Sequence, residues 1–336
     1  MDNFDMLKLI DRALKGGIVE IDDLGDAVLQ PTKLTKFVRQ MQSKTKILPE
    51  ARYFPMTAQI HEIDRIAFTG RVLHSGTDAS SDHRSLATSN WASPGTNTNQ
   101  LVAKEFISIA SIRDKVLRRN IERENFEDTL IELLGEAVGR DTEELAIFGD
   151  TRYAYADDDI LSKVDGWVKL AENVIYGGDK SDFDPTADTY PENMFDAMLS
   201  AMPKQYLDNI NDWRFWVDWD VRNAYQNLQK ARGTALGDRA YTTNLELAYK
   251  GVPVVYVPTL AKAKADGAST YGTGDVAILG YPNNHVWGVF HRVTIERERE
   301  AKERRTDFVL TLEADAQYED ENAVVVAYID KSNPAS

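Results

Sequence analysis

The chain has 336 residues, 43% of them hydrophobic and 10% aromatic, enough for one large core or two modest ones. A formal net charge of -15 speaks against a dedicated nucleic-acid reader, which needs clustered Lys and Arg against phosphate. The absence of cysteine removes disulfides, thiolate catalysis and Cys-based metal sites, and no stretch approaches the roughly 20 apolar residues that span a bilayer.

The first residues, MDNFDMLKLIDRALKGG, have no basic flank leading into an apolar run and so are not a signal peptide. Phe4, Leu7, Ile10 and Leu14 instead recur at helical spacing, and Gly16 and Gly17 close that short helix. A second short helix is expected from Leu34 to Met41, before Pro49. Pro55 to Phe68 then reads as one extended arm and Leu101 to Ile112 as another, with Ile107 and Ile109 alternating against Ser108 and Ser111. Between them SGTDASSDHRSLATSNWASPGTNTN has the composition of a flexible loop. Arms of this length, at about 3.3 Å per residue, reach on the order of 40 to 60 Å, so the hairpin is expected to leave its own domain and meet a partner.

Asn125 as N-cap, Glu127 and Asp128 in the first turn, and apolar Phe126, Leu130, Leu133, Leu134, Ala137, Val138, Leu145 and Phe148 predict a long helix that Gly149 ends. An acidic linker through AYADDDIL and GGDKSDFDPTAD follows. Pro191 then opens a helix carrying Met194, Met198, Ala201 and Met202 on one face. RFWVDW is a strand, and Val221, Tyr225, Leu228 and Ala231 mark the next helix, closed by Gly233. GVPVVYVP is a strand whose Pro253 places it near an edge or a strand start. DVAILGY, HVWGVFHRVTIERE, TDFVLTLEA and NAVVVAYI follow in quick succession and predict one antiparallel sheet, with Phe308, Leu310 and Leu312 on its covered face.

Chemistry is scarce along this chain. YGTGDVAILG has the wrong glycine spacing for a dinucleotide site and reads as a turn before a strand. His61 has no second histidine at helical spacing, and His74 and His83 flank the polar loop as solvated side chains. Asp157, Asp158 and Asp159, with Asp179, Asp182, Asp184 and Asp188, could hold a divalent cation but lack the glycine and closing glutamate of an EF-hand. No serine sits in a G-x-S-x-G elbow. EREREAKERR, from Glu296 to Arg305, reads as a solvated hairpin tip in a monomer and as a source of intersubunit ion pairs in an oligomer. Trp91, in an otherwise polar loop, packs locally or anchors in a neighbour's pocket. The intersubunit contact candidates are therefore Arg84, Trp91, Glu296, Arg297, Glu298, Arg299, Arg304 and Arg305, with no catalytic residue, cofactor or metal expected.

The order of these parts resembles the Hong Kong 97 fold of tailed-phage major capsid proteins. RDKVLRRNIERENFEDTLIELLGEAVGRDTEELAIFGD is similar to the family's short turn and spine helix. RGTALGDRA, AYKGVPVVYVPTL, YPNNHVWGVFHRVTIERERE and NAVVVAYI are similar to its later blocks, in the same order, so that the likeness runs from Lys33 to Ile329.

The resemblance implies an α+β capsid fold with an N-terminal arm over 1–54, an extended loop over 55–104, a spine helix over 125–148, a peripheral domain over 105–164 and 285–336, and an axial domain over 165–284. Glu296 to Arg305 would lie near the peripheral-domain tip, where capsomers meet around threefold positions. It implies copies in pentamers and hexamers that close an icosahedral shell around double-stranded DNA without sequence-specific binding, in a virion assembled in the bacterial cytoplasm. A portal is implied, and a separate scaffolding protein, because only about 50 residues precede the hairpin where fused scaffolds in the family have about a hundred. No lysine lies from Asp78 to Gln100, so a covalent lysine–asparagine crosslink at the loop tip is not expected. The rivals are an encapsulin-like compartment of the same fold and a soluble hydrolase using a metal at Asp157 to Asp188.

Overall fold

The computed structural model describes residues 45–68, 72–75, 91–92, 94–113, 126–152, 160–178, 182–207, 210–231, 247–261 and 276–329. The helices expected near the N-terminus, the Asn125 cap, Arg84, His83, the Asp157 to Asp159 run, Asp179 and Gly233 lie outside these residues. The chain divides into two compact units, one of residues 1–45, 105–142 and 291–313, the other of residues 46–104, 143–290 and 314–336.

Four strands open the described chain: β1 (Arg52–Pro55), β2 (Ile60–Phe68), β3 (Pro94–Val102) and β4 (Lys104–Arg113). β2 and β3 form an antiparallel ribbon with register from Ile60 opposite Val102 to Phe68 opposite Pro94. This corrects the two expected arms. PGTNTN belongs to the returning strand and not to the loop, and Leu101 to Ile112 is not one arm but the end of β3 and a new strand. The division falls at Ala103, fully buried with Leu101, where the chain enters a small core with Met56 and Val286. A two-stranded ribbon needs no apolar face, so Thr and Asn extend β3 without leaving a hydrophobic signature.

The ribbon is fastened at its root by the final residues of a later strand, β11 (Arg305–Tyr318), which share its unit. The Val102 amide donates to Asp315 Oδ2 at 2.6 Å, the Gln317 side chain donates to the Gln100 carbonyl at 3.4 Å, and Asn99 Nδ2 donates to the Tyr318 carbonyl at 2.9 Å. Burial pushes the Asp315 carboxyl up to about 6, although the Val102 and Ala316 amides both favour its charged form.

The long helix α1 spans Phe126–Phe148 as expected. Its apolar stripe is not all covered, because Leu133 is 58% exposed while Ile131 is buried. Near its end Glu143, itself buried, takes the amides of Lys46 and Ile47 on Oε2 at 2.7 and 3.0 Å and the Thr259 hydroxyl on Oε1 at 2.6 Å. One carboxylate thus fixes the incoming chain to the helix. Gly149 ends the helix by close approach rather than by a left-handed turn. A Cβ there would lie 2.3 Å from the Val164 carbonyl, and one on Gly166 would lie 2.6 Å from the Gly149 nitrogen.

Beyond α2 (Trp167–Leu170), the second unit is built on a mixed six-stranded sheet. It contains β5 (Asn173–Tyr176), β6 (Arg214–Val217), β7 (Ala248–Tyr249), β8 (Val252–Tyr256), β9 (Val276–Gly280) and β12 (Val324–Tyr328), in the order β5-β12-β9-β6-β8-β7. Pro253 does sit at the start of the next-to-edge strand. Helix α3 (Glu192–Ala201) buries Met194, Phe195 and Met198, and α4 (Trp219–Ala231) buries Val221 and Tyr225. These side chains share one core with Phe215 and Tyr249 from the sheet, the Phe195 and Phe215 rings lying 4.6 Å apart.

The four C-terminal strands do not form one sheet. β9 and β12 join the six-stranded sheet, whereas β10 (His285–Glu300) and β11 lie in a second sheet of order β1-β10-β11-β4. The physical reason lies in the residues: VAILG and VVVAY are buried at every position, as strands covered on both faces must be. β11 alternates instead, with Phe308, Leu310 and Leu312 buried as expected against half-buried Val309, Thr311 and Glu313.

Gly149→Ala is expected to destabilise the chain by about 2–3 kcal/mol, because backbone and not a flexible side chain occupies the Cβ position; chemical denaturation measures this. For Asp315 the folded value lies above the ordinary 3.8, so its contribution to stability is fully present below that pH and is lost as pH rises through about 6. Relative to Asp315→Asn, the native chain should therefore lose about 2 kcal/mol of unfolding free energy between pH 4 and pH 7.

Candidate functional site

The charged run EREREAKERR forms the outer end of β10, a turn at Ala301–Arg304 and the first residue of β11, so the expected hairpin tip is present. The strand's period of two sorts its alternating charges by face. Exposed Thr294, whose hydroxyl lies 2.6 Å from that of Thr311, marks the open face, and buried Ile295 marks the covered one. Glu296 and Glu298 follow Thr294 onto the open face, and Arg297 and Arg299 follow Ile295 onto the other. Arg304 takes a left-handed turn with φ 52°. Arg305 is engaged with Glu300, Glu303 and Asp307 of its own tip at 2.8, 2.6 and 3.0 Å.

The same unit carries an apolar feature whose direction is opposite to a simple amphipathic reading. In β4, the last strand of its sheet, Ile107 and Ile109 are 63% and 58% exposed, while Ile112 is buried on the alternate side. Sequence alternation gave the two isoleucines a common face but not the side on which it lay.

Trp91 is 65% exposed and belongs to the other unit, and Arg84 lies outside the described residues. In Trp91's unit the turn after β11 gathers a polar cluster that sequence reasoning missed. Asp320 pairs with Arg65 of β2 and accepts the Tyr206 hydroxyl at 2.6 Å. Burial raises the Asp320 carboxyl, but hydrogen bonds from Arg65 and Tyr206 outweigh it and leave the group below the ordinary carboxylate range. No local motif could have revealed a pairing between segments so far apart in the chain.

Two of the acidic candidates, Asp182 and Asp184, have structural roles. Asp182 accepts the Tyr176 amide at 2.8 Å, and Asp184 accepts the Thr186 amide and hydroxyl at 2.8 and 2.7 Å. No group of three or more metal-ligating side chains clusters among the described residues, and no described helix is long and apolar enough to cross a membrane. His285 is fully buried among Trp167, Trp216 and Tyr318, with ring separations of 5.0, 4.8 and 5.0 Å. Burial lowers its pKa to about 4, so it is neutral at pH 7 and donates from Nδ1 to the Tyr281 carbonyl at 3.1 Å. Among the described residues, the features open to other molecules include an anchored ribbon, an apolar edge strand and a two-faced charged tip.

No protein-family model matches the chain. Among curated proteins, "Putative prophage capsid protein YqbE" of Bacillus subtilis (strain 168) is 28% identical over 306 residues, which cover 88% of this chain and 91% of that one. Among solved structures, a chain of Mycobacterium phage Adephagia aligns with TM-score 0.58 at 14% identity over 99% of both chains. A chain from the capsid of a native GTA particle gives 0.58 at 14% identity, covering 90% of this chain and 91% of that one. A chain from the satellite phage P4 procapsid that includes the size determination (Sid) protein gives 0.55 at 15% identity, covering 89% and 99%. The structural likenesses speak for the fold and the curated relative for descent, and both agree with the resemblance carried by the ordered sequence blocks. The chain is thus similar over most of its length to a putative prophage capsid protein, and it shares its α+β fold with chains of a phage and of a GTA capsid.

Proposed function

We infer that this chain is a major capsid protein, many copies of which close an icosahedral shell around the double-stranded DNA of a tailed phage or prophage. The observation that carries the reading is end-to-end similarity to a prophage capsid protein, 88% of one chain against 91% of the other. In this reading the parts follow the Hong Kong 97 plan. Residues 1–54 are the arm, 55–104 the extended loop, 125–148 the spine, 165–284 the axial domain, and 105–164 with 285–336 the peripheral domain, except that β12 completes the six-stranded sheet of the axial strands.

The mechanism is mechanical and noncovalent. The β2–β3 ribbon, fastened at its root, lies over a neighbouring copy, with Trp91 and any contact from Arg84 adding to its hold. Ile107 and Ile109 on an edge strand offer apolar area and open backbone groups to an adjoining copy. At the β10–β11 tip, Glu296 and Glu298 point one way and Arg297 and Arg299 the other, so that neighbouring tips can meet acidic face to basic face. Arg304 stands at the turn between them, and Arg305 holds the tip together from within. A net charge of -15 limits adhesion to enclosed DNA, which must be packed and released. A separate scaffolding protein and a portal would complete the assembly in the host cytoplasm.

Expressed alone and with its flanking genes, the chain should give closed shells of uniform diameter by electron microscopy; a small monomer under every assembly condition would overturn the reading. Glu296→Lys with Glu298→Lys should leave folding stability within about 0.5 kcal/mol, since both side chains are exposed. The same pair should lower shell yield and change its dependence on salt, which size-exclusion chromatography across ionic strengths would measure.

A further inference from the structure

The β2–β3 ribbon has more than its root to hold it. Arg65 lies opposite Asn97, five residue pairs out from Ile60 opposite Val102, a distance of about 17 Å at 3.3 Å per residue. There its guanidinium meets Asp320, in the turn between β11 and β12 of the same unit. That carboxylate is itself immobilised. Its Oδ2 accepts the Tyr206 hydroxyl at 2.6 Å and its Oδ1 the Asn322 amide at 3.1 Å. The Asp320 amide donates to Asn284 Oδ1 at 2.8 Å, and Asn284 Nδ2 returns a bond to the Asp320 carbonyl at 2.9 Å. The Asp320 side chain is 14% exposed and that of Arg65 31%, so the pair is partly shielded from water.

A ribbon held at one point is a hinge, whereas one held at two points has a direction. With the first point at Val102 and Asp315 and the second about 17 Å out, 1 Å of slack at the brace turns the ribbon by only about 3°. Without Arg65 the outermost brace among the described residues is the Asn99 bond to Tyr318, two pairs nearer the root. The lever arm falls to roughly 10 Å, and the same slack swings the far end nearly twice as widely.

We propose that Asp320, by holding Arg65 and Tyr206 together, sets the direction in which the ribbon leaves its unit and thereby selects which part of a neighbouring copy it meets. Arg65, Tyr206 and Asp320 are positioning residues. The consequence for shells rests on the capsid reading above, whereas the direction of the ribbon does not.

The test has two arms that separate those claims. Because the chain has no cysteine, Ala92→Cys and Asn223→Cys can each carry a spin label within one unit, and pulsed dipolar spectroscopy then reads the ribbon's direction in the unassembled subunit. Arg65→Ala should broaden that distance distribution, Arg65→Lys should largely restore it, and exchanging the charges by Arg65→Asp with Asp320→Arg should narrow it again. In the second arm, Arg65→Ala should reduce closed shells of native diameter by about tenfold at equal subunit concentration, with open or mixed-size products in their place. An unchanged distance distribution in folded Arg65→Ala overturns the brace. A broadened distribution with native shells overturns its selective role in assembly. Failure of the native chain to form shells under any condition counts against the capsid reading alone, since the first arm still decides the direction. Should Arg65→Ala not fold, Tyr206→Phe, which removes one bond to Asp320, must broaden the distribution or the proposal is wrong.

Discussion

The described chain depends on one constraint: a two-stranded ribbon has no interior and must borrow its order from elsewhere. Leu101 and Ala103 provide the first loan by entering the core with Met56 and Val286 just where the ribbon ends. β11 provides the second, because its alternate side chains at Asp315 and Gln317 meet backbone groups of β3 that no neighbouring strand takes. A buried carboxylate in that position is costly by itself, and the two amides that it accepts make it tolerable. Glu143 repeats the device for the chain that enters at Lys46 and Ile47. In both places a carboxylate stands in for a missing strand or helix partner.

Most local elements were legible in the sequence because they have strong periodicity. The long helix, the Met194–Met198 face and the Val221–Tyr225 face could be read from spacing alone. Sheet membership could not. VVVAY and TDFVLTLEA are both strand-like, and only the distinction between continuous and alternating apolar residues separates a strand covered twice from one covered once. The end of the hairpin was misplaced for a related reason: Thr and Asn are ordinary loop residues, yet a solvated ribbon accepts them readily.

The candidate site was legible in its residues but not in its geometry. EREREAKERR announced a charged tip, yet its meaning depends on strand rather than turn conformation over Glu296–Glu300. In a loop the two signs would neutralise each other locally; in a strand they part to opposite faces and make a directional element. Leu133, Ile107 and Ile109 show the converse difficulty. An apolar residue at core spacing carries no mark that says whether its cover comes from its own chain or from another.

The polar character of β3 has a further consequence, one of timing. Wherever copies of a chain are concentrated, a long ribbon with open backbone along its outer edges is a template for indiscriminate strand pairing. Asp64 bonded to Thr98, with Glu62 and the run TNTNQ along the same ribbon, makes that template a poor one for chains meeting at random. In a chain that assembles as proposed, the residues that hid the strand from sequence reading would act as a delay, keeping the ribbon inert until geometry brings the right neighbour alongside.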